Sequence, residues 1–295
     1  MKNFEYFLMF TAGTGGHFIA SQMCKNLYDP QLEIKRNDVN EWDAEAVRQY
    51  CLKGFLHENI SESLDVKILL NHGWTAEQIN NSGCTFDRKI FVVGNGYTRL
   101  LTKIKKMYKE YNDDTITNML DSIIVMLYKN FNSVGNHLML PNLDIRGNFH
   151  NIKLQTYKAL QPVEDLLKPD REDYIQTVYE YVAFATLNNF TPSLDGFKKF
   201  LGEVLVLTST PKPQMDKFDF YQEMLGEHAN STEFVSYNDV FYNKTKTIPG
   251  VHADEIDKYN LSNYELVQSI LTLVDDESAA QLVNNIHAAG IPFKR

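Results

Sequence analysis

The chain is predicted to be an α/β protein with a mostly parallel central sheet flanked by helices. Two observations carry this reading. Short apolar runs, mostly rich in Val, Ile, Leu or Phe and bounded by turn or polar residues, recur along the sequence, as buried strands of a parallel sheet do. The first three of them are each followed by a helix-forming stretch, and repeated strand–helix order is the mark of a doubly wound sheet. The 295 residues suit one large α/β domain or two small ones and are enough to bury a sizeable core, and 43% hydrophobic with 23% charged residues is a globular composition, not a disordered one.

Five runs read as strands: Tyr6–Phe10, Val66–Asn71, Lys89–Val93, Val204–Thr208 and Glu233–Tyr237. The first three are expected as neighbours at the centre of the sheet. Between about residues 97 and 200 the periodicity is helical instead. Leu100, Ile104, Met107 and Tyr108 share one face, as do Met119, Ile123, Met126 and Leu127, and Tyr174, Val178, Tyr181, Val182 and Ala185. This stretch, about 103–200, is expected as a helical insertion within a single domain spanning 1–295. Thr208–Asp219 is expected to be a loop, because Pro211 and Pro213 lack the N–H that a ladder needs.

Charge and cysteine usage exclude several classes. The formal net charge is −9, which argues against a nucleic-acid partner, since such binding rests on Lys and Arg contacts to phosphate. Cys24, Cys51 and Cys84 are odd in number, far apart and without a CxxC pair, which points to reduced thiols in the cytoplasm and to no zinc site. No apolar run approaches the ~20 residues of a membrane span, so no membrane partner is expected. No metal-ligand spacing appears either, and the oligomeric state is not readable from the sequence.

The first strand runs directly into Thr11-Ala12-Gly13-Thr14-Gly15-Gly16-His17, and a helix follows. A strand, a glycine turn and a helix start together offer backbone N–H groups and a positive dipole end to an anion, with phosphate or sulfate the natural guest. Gly13, Thr14, Gly15, Gly16 and His17 are therefore candidate binding residues. The turn is not a P-loop, which needs GxxxxGK[ST], and it is not a complete GxGxxG. A tight turn that binds nothing is the plain alternative.

The third strand adds a second motif. Lys89–Val93 leads into Gly94-Asn95-Gly96-Tyr97-Thr98-Arg99-Leu100-Leu101-Thr102. This resembles the sulfotransferase segment R-N-P-x-D-R-x-x-S, with Asn95, Arg99 and Thr102 keeping the spacing. Val66–Trp74, with His72, resembles the strand that carries a histidine before a turn in that family. Thr191–Phe200, Pro211–Gln214 and Phe234–Val240 are similar, in order, to later motifs of the carbohydrate-type members.

The resemblance implies a P-loop NTPase-like sulfotransferase fold and transfer of a sulfuryl group from phosphoadenosine phosphosulfate, without a metal. The acceptor it implies is a hydroxyl on a small molecule or carbohydrate. It casts His72 as general base, and Asn95, Arg99 and Thr102, with the glycine turn, as holders of the donor. The positioning and electrostatics would parallel phosphoryl transfer.

Two departures stand against activity. Ala12 and Gly94 occupy places where the family carries cations. Charge-assisted hydrogen bonds are worth about 1.5–3 kcal/mol each, so losing both weakens donor binding by a factor on the order of 100 or more. His17, Arg99, Lys103 and Lys106 are the cations placed to compensate, although Lys103 and Lys106 also read as a solvated helix face. A catalytically silent protein of the same fold, with a binding or assembly role, is the alternative. A nucleotide kinase is disfavoured by the missing GK[ST].

Overall fold

A computed structural model describes residues 2–35, 49–53, 66–107, 114, 116–121, 172–188, 190–211 and 218–294. The chain divides into two compact units, one of Met1–Lys103, Val206–Ser269 and Gln281–Arg295, the other of Ile104–Leu205 and Ile270–Ala280.

The first unit holds a five-stranded sheet of β1 (Lys2–Phe10), β2 (Cys51–Lys53), β3 (Ile68–Asn71), β4 (Cys84–Val93) and β5 (Thr232–Ser236). The order across the sheet is β2-β3-β1-β4-β5, and every pairing is parallel. The protein is thus α/β with an all-parallel central sheet flanked by helices. β1, β3 and β4 lie side by side with β1 in the middle, as expected from their apolar content.

Both sheet faces are covered, which is why these strands read as continuous apolar runs and not as alternating ones. One face carries Phe7 and Met9 of β1, Leu69 of β3 and Phe91 and Val93 of β4. They pack with Ile79 of α2 (Ala76–Asn81) and with Tyr221 and Leu225 of a helix spanning Phe218–Leu225. Phe7 meets Trp74 edge-on at 5.2 Å and stacks on Phe86 at 4.6 Å, a geometry that adds to simple area burial. On the other face Leu8, Phe10, Ile68, Leu70, Ile90 and Val92 are buried, and α1 (Gly16–Met23) packs on β1 and β3. α3 (Gly96–Met107) follows β4.

In the second unit, α4 (Glu172–Leu187) carries buried Tyr181, whose ring meets Phe197 at 5.7 Å and Phe200 at 5.6 Å on α5 (Leu194–Ser209). The Ser193 backbone N–H donates to the Tyr181 hydroxyl at 3.0 Å.

One strand expectation fails. Val204–Thr208 lies within α5, not in a sheet. Its β-branched, apolar character suits either state over five residues, and the wider window decides: Phe197, Leu201 and Leu205 form one fully buried face at helical spacing. Leu207 is 71% exposed, as a residue on the far side of such a helix is. Strand β2 was not expected from sequence, because three residues leave no period to read. Tyr108, Ile123–Leu127, Pro213, Gln214 and most of 103–200 lie outside the described residues.

Strand β4 also anchors a polar cluster away from the glycine turn. Lys89 Nζ lies 3.4 Å from His228 Nδ1, and His228 Nε2 lies 2.8 Å from Asn80 Oδ1. An ammonium only donates, so Nδ1 accepts and the proton sits on Nε2, donating to Asn80. Asn80 Nδ2 in turn donates to Glu227 at 3.2 Å, which fixes the amide orientation. Burial, and then the Lys89 charge, hold His228 below its ordinary range, with Glu227 opposing. The unfolded chain therefore binds the proton more readily than the folded one. Stability from this cluster is full above the ordinary histidine value and is lost as pH falls through it toward the lower folded value. Urea midpoints should fall between pH 7.5 and pH 5.5, roughly the span around the free histidine value. His228→Gln should flatten that part of the profile, and an unchanged slope in His228→Gln would refute the assignment.

Candidate functional site

The strand order places a crevice. From β1 the chain leads to β2 and β3 on one side, and from β4 it leads to β5 on the other. Neighbouring strands whose connections diverge open a cleft at their C-terminal ends, where α/β sheets bind ligands. The two turns at that point are Thr11–Gly15 after β1 and Gly94–Asn95 after β4.

The β1 turn is closed by threonines. Thr14 N–H and Oγ1 both donate to Thr11 O, at 3.3 and 2.8 Å. Gly13 at φ +81° and Gly15 at φ +72° hold the left-handed conformation that glycine adopts without strain. Gly15 caps α1 without a side-chain hydrogen bond. Among the described residues no acceptor meets the N–H of Gly13, Gly15 or Gly16. Successive backbone amides of this kind make an anion-binding concavity at a helix start.

The same glycines also answer a packing demand that the sequence does not reveal. A Cβ on Gly13 would lie 1.8 Å from Thr98 O and 2.5 Å from Thr102 Oγ1 of α3. One on Gly16 would enter the Phe10 ring at 2.4 Å, and one on Gly15 would come within 2.9 Å of the Tyr259 hydroxyl. The turn therefore needs its glycines to fit against its neighbours whether or not it holds a ligand.

The β4 turn is stitched to the first. Thr11 N–H donates to Val92 O at 3.1 Å, and Gly94 N–H donates to Thr11 Oγ1 at 2.7 Å. A Cβ on Gly94 would meet Thr98 Oγ1 at 2.2 Å, Thr11 Oγ1 at 2.6 Å and Thr14 Cγ2 at 2.8 Å. Three threonines thus fill the space beside Gly94. Asn95 caps α3: its Oδ1 accepts from Thr98 N–H at 3.2 Å, and its own N–H donates to Thr98 Oγ1 at 3.0 Å. This is a reciprocal capping pair. Asn95 Nδ2 donates to Asn238 Oδ1 and to Ala289 O, each at 3.2 Å.

Arg99 and Thr102 have local partners as well. Arg99 donates from its guanidinium to Thr210 O. Thr102 Oγ1 donates to Thr98 O at 3.0 Å, one turn back along α3. Lys103 is half-buried and Lys106 exposed. His72, exposed at the end of β3, lies with its ring 4.4 Å from that of Phe10. His17, half-buried in the first turn of α1, has its ring 6.1 Å from the same Phe10. The structure therefore gathers Gly13–Gly16, Gly94, Thr98 and Thr102 at the switch point, with His72 and His17 both against Phe10. The charged end of Arg99 is engaged at the Thr210 carbonyl.

The sequence reading missed Thr11, Thr98 and Phe10. The Asn95-x-x-Thr98 spacing was the available signal for the second cap. Phe10 as the contact shared by both histidines had no signal, because β1, α1 and β3 meet only in the fold.

Among the described residues no helix is long and apolar enough to cross a membrane, and no three His, Cys, Asp or Glu side chains group to hold a metal ion. Cys24, Cys51 and Cys84 are free thiols; burial raises Cys24 to about 12 and moves Cys51 well up. Compared with protein-family models, with curated proteins and with solved structures, the chain matches none.

Proposed function

We propose that this chain is a sulfotransferase-like protein that holds one phosphate- or sulfate-type group at the glycine turn after β1, and that it binds this group without transferring it. The carrying observation is the turn itself: amides of Gly13, Gly15 and Gly16, with no acceptor among the described residues, stand at the switch point of a parallel sheet and at the start of α1. Neutral amides and a helix dipole of about half a charge suit a single oxyanion. A donor with a 3′-phosphate and a phosphosulfate carries several charges and needs matching cations. The threonines beside Gly94, the Arg99 bond to Thr210 and the capping role of Asn95 weigh against that larger load.

Calorimetric titration with inorganic sulfate, with phosphate and with adenosine 3′,5′-bisphosphate tests the reading. Binding is expected for the parent. Ala12 is exposed beside the turn, so Ala12→Glu should keep the fold and weaken the anion at least about tenfold. No heat with any of the three at millimolar ligand, or equal binding by Ala12→Glu, would end it.

Transfer is the second reading, and the pair of histidines against Phe10 favours it. Label passing from phosphoadenosine phosphosulfate to a hydroxyl acceptor, and lost in His72→Ala, would replace binding with transfer.

A further inference from the structure

A concave site lies in the same unit as the glycine turn. Tyr237–Phe241 forms a short helix after β5, and α6 spans Ala253–Leu271. A cavity of about 340 Å³ opens between the end of the short helix with the residues after it, α6 and Pro292. That is the small end of the roughly 300–1,000 Å³ range of ligand pockets.

Three features single it out. Asn260, 7% exposed, donates from Nδ2 to Phe241 O at 2.7 Å, which fixes its amide. Its Oδ1 is then left buried with no donor among the described residues, a state that native proteins seldom leave unexplained. Lys244, on the rim, has φ +53° and is the one non-glycine residue with positive φ among the described residues. Such strain, costing on the order of 1–3 kcal/mol, concentrates at ligand clamps and similar sites. Lys244 Nζ reaches both carboxylate oxygens of Asp257 at 2.8 Å, and the two side chains are 40% and 63% exposed. An exposed pair of this kind is worth about 0–1 kcal/mol, so a ligand can open it at little cost.

The remaining wall is apolar and aromatic. Tyr242 and Tyr264 stand with rings 6.2 Å apart at 27°, and Leu261 is 59% exposed. The cavity thus presents one cation, one anion and an aromatic wall, with the unmet Asn260 oxygen buried in that wall.

We propose that this cavity is a second ligand site, for a small zwitterion with an apolar body, of the α-amino-acid class. The ligand carboxylate takes Lys244, its ammonium takes Asp257, and its side chain lies on Tyr242, Tyr264 and Leu261. Each charge of the original ion pair keeps a partner, so no buried charge is stranded.

The probes are L-phenylalanine, 3-phenylpropanoate, which lacks the ammonium, and 2-phenylethylamine, which lacks the carboxylate, followed by calorimetry or chemical-shift titration. L-Phenylalanine is expected to bind, and both singly charged analogues to bind at least about tenfold more weakly. Lys244→Gly removes the cation at a position whose backbone glycine accepts without strain. It should therefore have a thermal midpoint at or above the parent's and lose at least about tenfold in L-phenylalanine affinity. Ala12→Glu should bind L-phenylalanine like the parent, which separates this site from the glycine turn. No binding at about 10 mM L-phenylalanine, weaker than the ~1 mM scale of the feeblest useful sites, overturns the proposal. So does equal binding of either analogue, or undiminished binding by a folded Lys244→Gly.

Discussion

Gly13→Ala is expected to cost about 2–5 kcal/mol of stability, a large share of what a domain of this kind has. Two terms add. An L-residue at φ +81° carries about 1–2 kcal/mol of left-handed strain. The new methyl would stand 1.8 Å from Thr98 O, a backbone atom inside α3 that cannot rotate away, and overpacking of this kind costs about 1–3 kcal/mol or more. Gly83→Ala is the control. Gly83 also has positive φ, at +65°, but nothing lies within 4 Å of its Cβ position. It should lose only the strain, about 1–2 kcal/mol. Urea denaturation of the two variants separates conformation from crowding. Equal losses would show that the β1 turn does not press on α3.

Gly94→Arg should be similarly damaging and should bring no gain in nucleotide affinity. The substitution places a cation where the resemblance to sulfotransferases implies one. Its Cβ would lie 2.2 Å from Thr98 Oγ1 and 2.6 Å from Thr11 Oγ1. Both hydroxyls are committed, Thr98 to the cap of α3 and Thr11 to Gly94 N–H. Displacing them costs the packing and strands buried polar groups, together about 3–5 kcal/mol. The informative companion is Gly94→Arg with Thr11→Ala and Thr98→Ala, which removes the two closest of the three threonine contacts. If the triple variant folds and binds adenosine 3′,5′-bisphosphate at least about tenfold better than the parent, this turn is a donor site that lost its cation. If the single variant alone folds as well as the parent, the threonine socket is not rigid.

The strands that position the site were legible because burial on both faces leaves a plain mark in sequence. Tyr6–Phe10, Val66–Asn71 and Lys89–Val93 are apolar runs too short for helices, and each ends in a turn. Val204–Thr208 shows the limit of that mark. Five apolar residues do not distinguish a strand from a helix, and it took Phe197 and Leu201, a turn or two earlier, to decide.

The glycine turn and the resemblance at Asn95, Arg99 and Thr102 were likewise visible as residue types at given spacings. Their partners were not. Thr98 caps with Asn95 within four residues, which local spacing can encode. Gly13 against Thr98 O, Arg99 to Thr210 O and Asn95 to Ala289 O join positions far apart in the chain.

By itself, then, the sequence determined that β1, β3 and β4 form a buried parallel sheet and that an amide-rich turn follows the first of them. Hydrophobic period and glycine placement are local properties. Only the tertiary structure decided that the space beside Gly94 is filled by threonine side chains, that Arg99 is tied at its charged end, and that His72 and His17 share Phe10. Those outcomes depend on which strands become neighbours, and strand order is set by long-range packing that no local pattern records.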